Sequence, residues 1–153
     1  MTPDAALLEA YARGPAELAA ALASVPEGRR SVRPAPGRWS AREIALHLWH
    51  TELAMAFRMA RAVAEPGTPV PAFDQDRWVE RLGPAEDVDL ALAAFAALRA
   101  ALAAALRRLP PEAWSGTAVH PEAGAVTLAE WLERTVRHTA HHVAQIRALA
   151  AAP

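Results

Sequence analysis

Apolar residues recur at helical spacing in four stretches of the chain, and proline and glycine residues separate these stretches. We place the predicted helices at about residues 3–24, 40–64, 85–109 and 127–150. Strand signals are nearly absent, because β-branched residues are few and no period-two alternation of apolar and polar residues persists. The pattern therefore predicts an all-α protein.

Local signals mark where these helices begin and where one of them is interrupted. Ser40 precedes Glu43 by three residues and Thr127 precedes Glu130 by three, and both pairs have the form of a capping box. Within the first predicted helix, the dipeptide 14–15 is Gly-Pro, which predicts a kink or a break because proline lacks a backbone N–H.

The connection between the second and third predicted helices covers about residues 65–84. It is too long for a simple hairpin and suits a crossover that runs along a bundle, which would make these two helices parallel. The sequence thus predicts a four-helix bundle with a long crossover, formed by a single domain over residues 1–153. Between Phe73 and Trp78 we expect a short helical turn whose aromatic rings cover the core.

The last helix carries a seam of positions spaced alternately three and four residues apart. These positions are Leu128, Trp131, Thr135, His138, His142, Gln145 and Leu149. The four consecutive positions from Thr135 to Gln145 are polar, and each unsatisfied buried polar group costs about 1–3 kcal/mol. His138 and His142 are four residues apart, so their imidazoles share one face of the helix and are placed to share a metal ion.

A third metal ligand must come from another helix, and the second helix offers His47 and His50 as well as Glu43 and Glu52. Periodicity does not choose between the two histidines, because this helix is apolar nearly all round. His120 falls in the predicted loop before the last helix, and we interpret it as a surface residue. Both helix-two histidines therefore stay open at this point.

Composition narrows the range of partners. The chain has no cysteine, so any thiol chemistry needs an external thiol. Its 16 basic and 17 acidic residues alternate and leave a net charge of -1, which gives no basic patch for nucleic acid or an anionic membrane. The first residues lack a signal peptide and charges interrupt the long apolar stretches, so we expect a cytoplasmic protein that does not span a membrane. Alanine-rich faces such as that of residues 91–104 permit close packing and hence a homodimer.

Three motifs follow one another along the chain. They are Trp39-Ser40-Ala41-Arg42-Glu43-Ile44 with His47-Leu48 and Glu52, then Pro121-Glu122-Ala123-Gly124 with Thr127-Leu128, and finally His138-x3-His142-x2-Gln145-Ile146. In this order they resemble the DinB/YfiT-like superfamily of bacterial four-helix proteins. The resemblance implies a divalent metal, zinc or nickel, held by three histidines. Carried over by position, the ligands are His47, His138 and His142, whereas His50 and His141 fall on positions that are not ligands.

The resemblance also implies a range of activities. Branches of the superfamily look like thiol S-transferases that use a low-molecular-weight bacterial thiol, like metal-dependent hydrolases, or like a mycothiol-linked isomerase. We predict a metal-dependent enzyme for a small-molecule substrate, with thiol transfer to a small electrophile ahead of hydrolysis. The alternative is a non-catalytic metal- or ligand-binding bundle of the stress-response kind.

We assign supporting roles to five further residues. The candidate general bases are His50, His141 and Glu52. Arg99 lies on a line of apolar positions, so it either points inward and clamps a substrate anion or extends to the surface. Gln145 is expected to fix the tautomer of a ligand imidazole. Since the reference pKa of histidine is about 6.5, we expect metal loss between about pH 6 and 5.

Overall fold

The computed structural model describes residues 5–151, and helices dominate this part of the chain. Its helices are α1 (Ala5–Ala23), α2 (Ala41–Ala64), the short α3 (Gln75–Arg81), α4 (Val88–Leu106) and α5 (Leu128–Ala151). The four long helices confirm the predicted all-α bundle. The predicted start of the first helix at residue 3 lies outside the described residues.

Both predicted capping boxes form. At the start of α2, the Ser40 hydroxyl accepts a hydrogen bond from the backbone N–H of Glu43, whose carboxylate accepts one from the N–H of Ser40. At the start of α5, Thr127 and Glu130 exchange the same pair of bonds. These reciprocal bonds satisfy N–H groups that have no partner inside the helix.

One of two predicted helix features is wrong. The helix α1 runs unbroken through Pro15, so of the predicted kink or break the break does not occur. The helix α4 begins at Val88 rather than near 85, because the Asp87 side chain accepts hydrogen bonds from the N–H groups of Asp89 and Leu90 and so caps the helix.

A small sheet was missed by the sequence analysis. Its strands are β1 (Thr68–Pro69), β2 (Thr117–His120) and β3 (Gly124–Thr127). The order is β1-β2-β3, with β1 parallel to β2 and β2 antiparallel to β3. Strands of two to four residues are too short to display a period-two pattern, which explains the omission.

The crossover makes α2 and α4 parallel, as predicted. Arg42, near the start of α2, donates hydrogen bonds to the carbonyls of Gly83 and Glu86 just before α4. Further along both helices, Glu52 forms an ion pair with Arg99. In contrast, α5 is antiparallel to α2, so that the last helix returns along the second.

The bundle core consists of two apolar clusters separated by a polar layer. One cluster centres on residues such as Met59 and Trp131, and the other on residues such as Leu18 and Phe95. Between them lies the buried quartet, which we define as Tyr11, Glu52, Arg99 and Thr139. Gly14 lies against this layer, where a Cβ would collide with the Arg99 guanidinium.

Among the helices of residues 5–151, α4 is the one long and apolar enough to cross a membrane by length and composition. Its buried positions pack inside the bundle: Ala91, Phe95, Arg99, Ala103 and Leu106. The opposite, alanine-rich face is exposed, and Leu90 on that side is 71% exposed. The homodimer suggested by this face stays a prediction.

Candidate metal centre

Three histidines from two helices converge on one point. We call His47 of α2 and His138 and His142 of α5 the histidine triad. The Nε2 atom of His138 lies 3.1 Å from the Nε2 atoms of both His47 and His142. One ligand atom from each imidazole lies within 4.8 Å of the others. The antiparallel packing of α2 on α5 therefore assembles the cluster.

The triad fits a divalent metal ion. Two imidazole nitrogens that are each 2.0–2.1 Å from a tetrahedral zinc ion are about 3.3 Å apart, close to the observed spacing. The Nδ1 of His142 lies 2.7 Å from the Gln145 Oε1, an acceptor, so Nδ1 carries the ring proton. Its Nε2 lone pair then points at the other two imidazoles. Converging nitrogen lone pairs suit zinc, nickel or a related ion.

Burial keeps the triad in the state that binds metal. Burial, followed by the neighbouring His142 and His138, lowers the pKa of His47 from 6.5 to about 3. Burial, with His142 and His141 adding to it, lowers the pKa of His138 to about 4, and burial also lowers the pKa of His142. All three imidazoles are therefore neutral near pH 7. Proton competition for the metal should begin at lower pH than the range of 6 to 5 expected from the reference pKa.

Neighbouring side chains fix the orientation of the ligand rings. The Trp39 ring packs against the His47 ring with centroids 4.6 Å apart, and it is held there because Ser40 starts α2 at the next residue. Gln145 bonds to His142 as predicted, and its amide nitrogen lies 3.0 Å from the Nε2 of His141. The packing role of Trp39 was not predicted, although its position just before the helix cap is a usable signal.

The triad is accessible from two sides. A cavity of about 390 Å³ reaches His142 and Gln145, with Arg38, Trp39 and Asp76 among its lining residues. A second cavity, of about 430 Å³, reaches His138 from the other side. It is lined by Met55, Arg134, Arg137, His138 and His141. Both cavities leave room for a small molecule beside the triad.

The structure does not bring His50 to the triad. His50 is buried on the side of α2 that faces α3, where its Nε2 lies 2.7 Å from the Glu86 carboxylate and its ring contacts Trp78. The role of general base predicted for His50 is therefore corrected to a packing role between α2 and the crossover. The same contact places Trp78 over the bundle, as predicted for the turn that becomes α3.

Glu52 and Arg99 are also corrected, because both belong to the buried quartet. Arg99 points inward, but its Nε and Nη2 donate to Glu52, and Nη2 also donates to Thr139. Tyr11 donates its hydroxyl proton to the other Glu52 oxygen at 2.5 Å. Arg99 and Glu52 are each about 1% exposed. Neither side chain is available to clamp a substrate anion or to accept a substrate proton.

Two further histidines considered in the sequence, His141 and His120, lie outside the triad. His141 is exposed and lines the cavity beside His138, so it stays a candidate base. His120 lies on β2 rather than in a loop, and its Nδ1 accepts hydrogen bonds from the N–H groups of Glu122 and Ala123. Two quartet members, Tyr11 and Thr139, were missed, since nothing local distinguishes a tyrosine or threonine that reaches a distant ion pair.

The sequence model of the DinB superfamily matches residues 10–146. The chain belongs to this superfamily. The matched range includes the complete histidine triad and the buried quartet, so both lie within the shared family region.

Two curated relatives come from Oceanobacillus iheyensis, and each is named a "putative metal-dependent hydrolase". One is 26% identical over 113 residues, and the match covers 74% of this chain and 66% of the relative. The other is 25% identical over 111 residues and covers 72% and 64%. The match thus spans slightly less than two thirds of the length of either relative.

Solved structures share the fold. YfiT from Bacillus subtilis, described as a "probable metal-dependent hydrolase with an unusual four-helix bundle topology", has a TM-score of 0.86 at 23% identity and covers 94% of this chain and 83% of its own. A mycothiol-dependent maleylpyruvate isomerase has a TM-score of 0.73 at 18% identity, covering 92% of this chain and 59% of its own. At these identities the likeness concerns the fold.

Proposed function

We propose that this DinB superfamily protein is a metal-dependent enzyme that transfers a low-molecular-weight thiol to a small electrophile at the histidine triad. One observation carries the proposal. The triad borders a cavity whose charged lining, among the described residues, consists of Arg134 and Arg137 and contains no carboxylate. Such a lining favours an anionic nucleophile, such as the thiolate of a small thiol, over a neutral water molecule.

The residues divide the work between ligation, orientation and charge. A divalent cation held by the triad would supply Lewis-acid activation, which lowers the pKa of a bound nucleophile. Gln145 and Trp39 hold the imidazoles in place. Arg134 and Arg137 attract a thiol that carries carboxylates, and the chain has no cysteine of its own to compete for the electrophile.

The transfer step itself uses the thiol and the electrophile. The thiol proton passes to His141 or to solvent, and the sulfur electron pair then forms a bond to the electrophilic carbon. In a substitution, the leaving group departs with its bonding electron pair. His141 suits the role of proton acceptor because it is exposed at the cavity beside His138.

Hydrolysis is the second candidate function, and the names of the two Oceanobacillus iheyensis relatives favour it. In this case water replaces the thiol as nucleophile, and His141 again accepts the proton. The two functions differ in one requirement, since only transfer needs a thiol.

A pair of assays separates the two functions. Purified protein loaded with zinc or nickel should accelerate conjugation of mycothiol or glutathione to monochlorobimane, and a chelator should abolish the acceleration. His47→Ala should lose it, whereas Arg147→Gln, which removes an exposed charge from the same helix as two triad members, should not. Turnover of a nitrophenyl ester without thiol would instead support hydrolysis. Absence of turnover in both assays, with metal bound, would replace both proposals with the non-catalytic binding role.

A further inference from the structure

A third cavity lies where α2 and α5 meet the small sheet. It has a volume of about 300 Å³, and Arg58, His120, Trp131 and Arg134 contribute to its lining. It shares Met55 and Arg134 with the cavity that reaches His138. The two cavities therefore adjoin each other at Met55 and Arg134, one on the side of the triad and the other on the side of the small sheet.

Arg58 is a buried cation without an acidic partner. Arg58 is 4% exposed. Its Nη2 donates to the Pro71 carbonyl at 2.8 Å, and its Nη1 lies 3.9 Å from the Met55 sulfur. Within residues 5–151 no carboxylate lies within ion-pair distance of this guanidinium. A buried charge with so few partners is unfavourable unless an anion approaches it.

Trp131 lines the same pocket and carries an unused hydrogen-bond donor. The residue is 1% exposed, and among residues 5–151 its buried Nε1–H has no hydrogen-bond partner. The guanidinium carbons of Arg58 and Arg134 lie 5.2 and 5.6 Å from its ring centroid. Two cations that line the pocket thus flank an indole whose N–H group is unpaired.

His120 supplies a further donor. Its Nδ1 accepts two backbone hydrogen bonds, so its ring proton resides on Nε2. Its ring centroid lies 5.9 Å from that of Trp131. The exposed Glu122 is the acidic residue that also lines the pocket. The buried part of the pocket therefore offers donors and positive charge without a competing carboxylate.

We propose that Arg58, His120, Trp131 and Arg134 form an anion site that binds a carboxylate or a phosphate group. Trp131 precedes His138 by seven residues, which corresponds to about 10 Å along the helix. A molecule whose anionic end occupies this site can thus place its other end at the triad. This use of the site rests on the proposed function and defines the substrate class as elongated molecules with an anionic group about 10 Å from the reacting atom.

Binding can be tested without turnover. Full-length protein labelled with ¹⁵N should show a shift of the Trp131 indole resonance on titration with inorganic phosphate or succinate, relative to sodium chloride at equal ionic strength. Trp131→Phe assigns that resonance. Arg58→Met should weaken binding about tenfold or more, since a charge-assisted hydrogen bond is lost, and Arg134→Gln should weaken it less. Arg147→Gln should bind like the parent protein. Metal-free protein should bind the anions too.

Two results would overturn the site. An unshifted indole resonance up to tens of millimolar anion would exclude it, as would equal anion binding by the parent and Arg58→Met proteins. If Arg58 served only to anchor the Pro71 carbonyl, Arg58→Met would lower the melting temperature and leave anion binding unchanged. If this variant fails to fold, Arg134→Gln and the Trp131 resonance decide instead.

A kinetic comparison tests the connection to the triad. For a substrate or thiol that ends in a carboxylate, Arg58→Met should raise KM about tenfold with little change in kcat, and the corresponding methyl ester should show no such difference. Anion binding with no KM effect would assign the site to free phosphate and reject the substrate class. Anion binding in a protein that shows no turnover would reject the proposed function alone.

Discussion

The histidine triad and the buried quartet are two polar clusters that share the helices α2 and α5, and they differ in how their polar atoms are paired. In the quartet, the Glu52 carboxylate receives bonds from Tyr11 and Arg99, and Thr139 accepts from the same guanidinium. Each donor in these hydrogen bonds has an acceptor within the quartet, so the cluster needs no ligand. In the triad, three imidazole nitrogens face one another. A cluster that the chain completes by itself holds the helices together, whereas a cluster of converging imidazole nitrogens is suited to hold a metal ion.

Position reinforces this contrast. The quartet lies between the two apolar clusters, with Glu52 and Arg99 about 1% exposed. The triad borders two cavities, and His138 is only half-buried. Because both clusters are polar and lie close together on α5, polarity alone does not separate a structural site from a functional one. What distinguishes the two kinds of site is whether their polar atoms are paired within the protein.

The largest expected effect is the loss of metal from triad variants. His47→Ala, His138→Ala and His142→Ala should each weaken zinc or nickel binding by about a thousandfold, because each removes one of three ligands. Isothermal titration measures this loss. His120→Ala should bind metal as the parent does, because His120 lies on β2. Equal affinity in all four variants would show that the triad is not the metal site.

The second effect concerns stability. Glu52→Ala leaves the Arg99 guanidinium buried without its counter-ion and should lower the free energy of unfolding by about 3–5 kcal/mol. Urea denaturation measures the change. Glu17→Ala, which removes one side of the exposed pair with Arg13, should cost about 0–1 kcal/mol. A loss as small in Glu52→Ala would mean that the quartet does not stabilise the bundle.

Gln145→Ala should affect the histidine triad without affecting the buried quartet, and its effect should be smaller than that of the triad variants. It removes the acceptor that holds the His142 tautomer and should reduce metal affinity about 10- to 100-fold. The unfolding free energy of the metal-free protein should change little, since Gln145 is outside the quartet. If this variant lost stability but kept its metal affinity, Gln145 would have a structural role and the distinction between the triad and the quartet would be wrong.

A further effect is a pH dependence of the stability of the metal-free protein. The pKa values of His47 and His138, about 3 and about 4, lie below the value of about 6.5 in an unfolded chain. The unfolded state therefore binds more protons as the pH falls below 6.5, and the folded protein should lose stability on acidification from pH 6.5 toward 5. Melting temperatures across this range test it, and His47→Gln should flatten the slope. A parent protein whose stability rises on acidification would contradict these lowered pKa values.

Local signals in the sequence predicted the features that depend on neighbouring residues. The capping boxes at Ser40 and Thr127 and the i, i+4 pair of His138 and His142 are such features, because one helical turn determines them. The start of α4 just after its cap residue Asp87 was missed, even though the capping signal is local. The strands were missed because each contains only a few residues.

What the sequence determined by itself is the helical architecture, the long crossover and the pairing of two histidines on one helix face, since helical periodicity fixes these within a few residues. The choice between His47 and His50 was not available from periodicity, because α2 is apolar on nearly every side; in the structure the first faces α5 and the second faces α3. The pairing of Arg99 with Glu52, 47 residues away, was equally hidden. Such contacts depend on how each helix is rotated against its neighbours, and only tertiary packing sets that rotation.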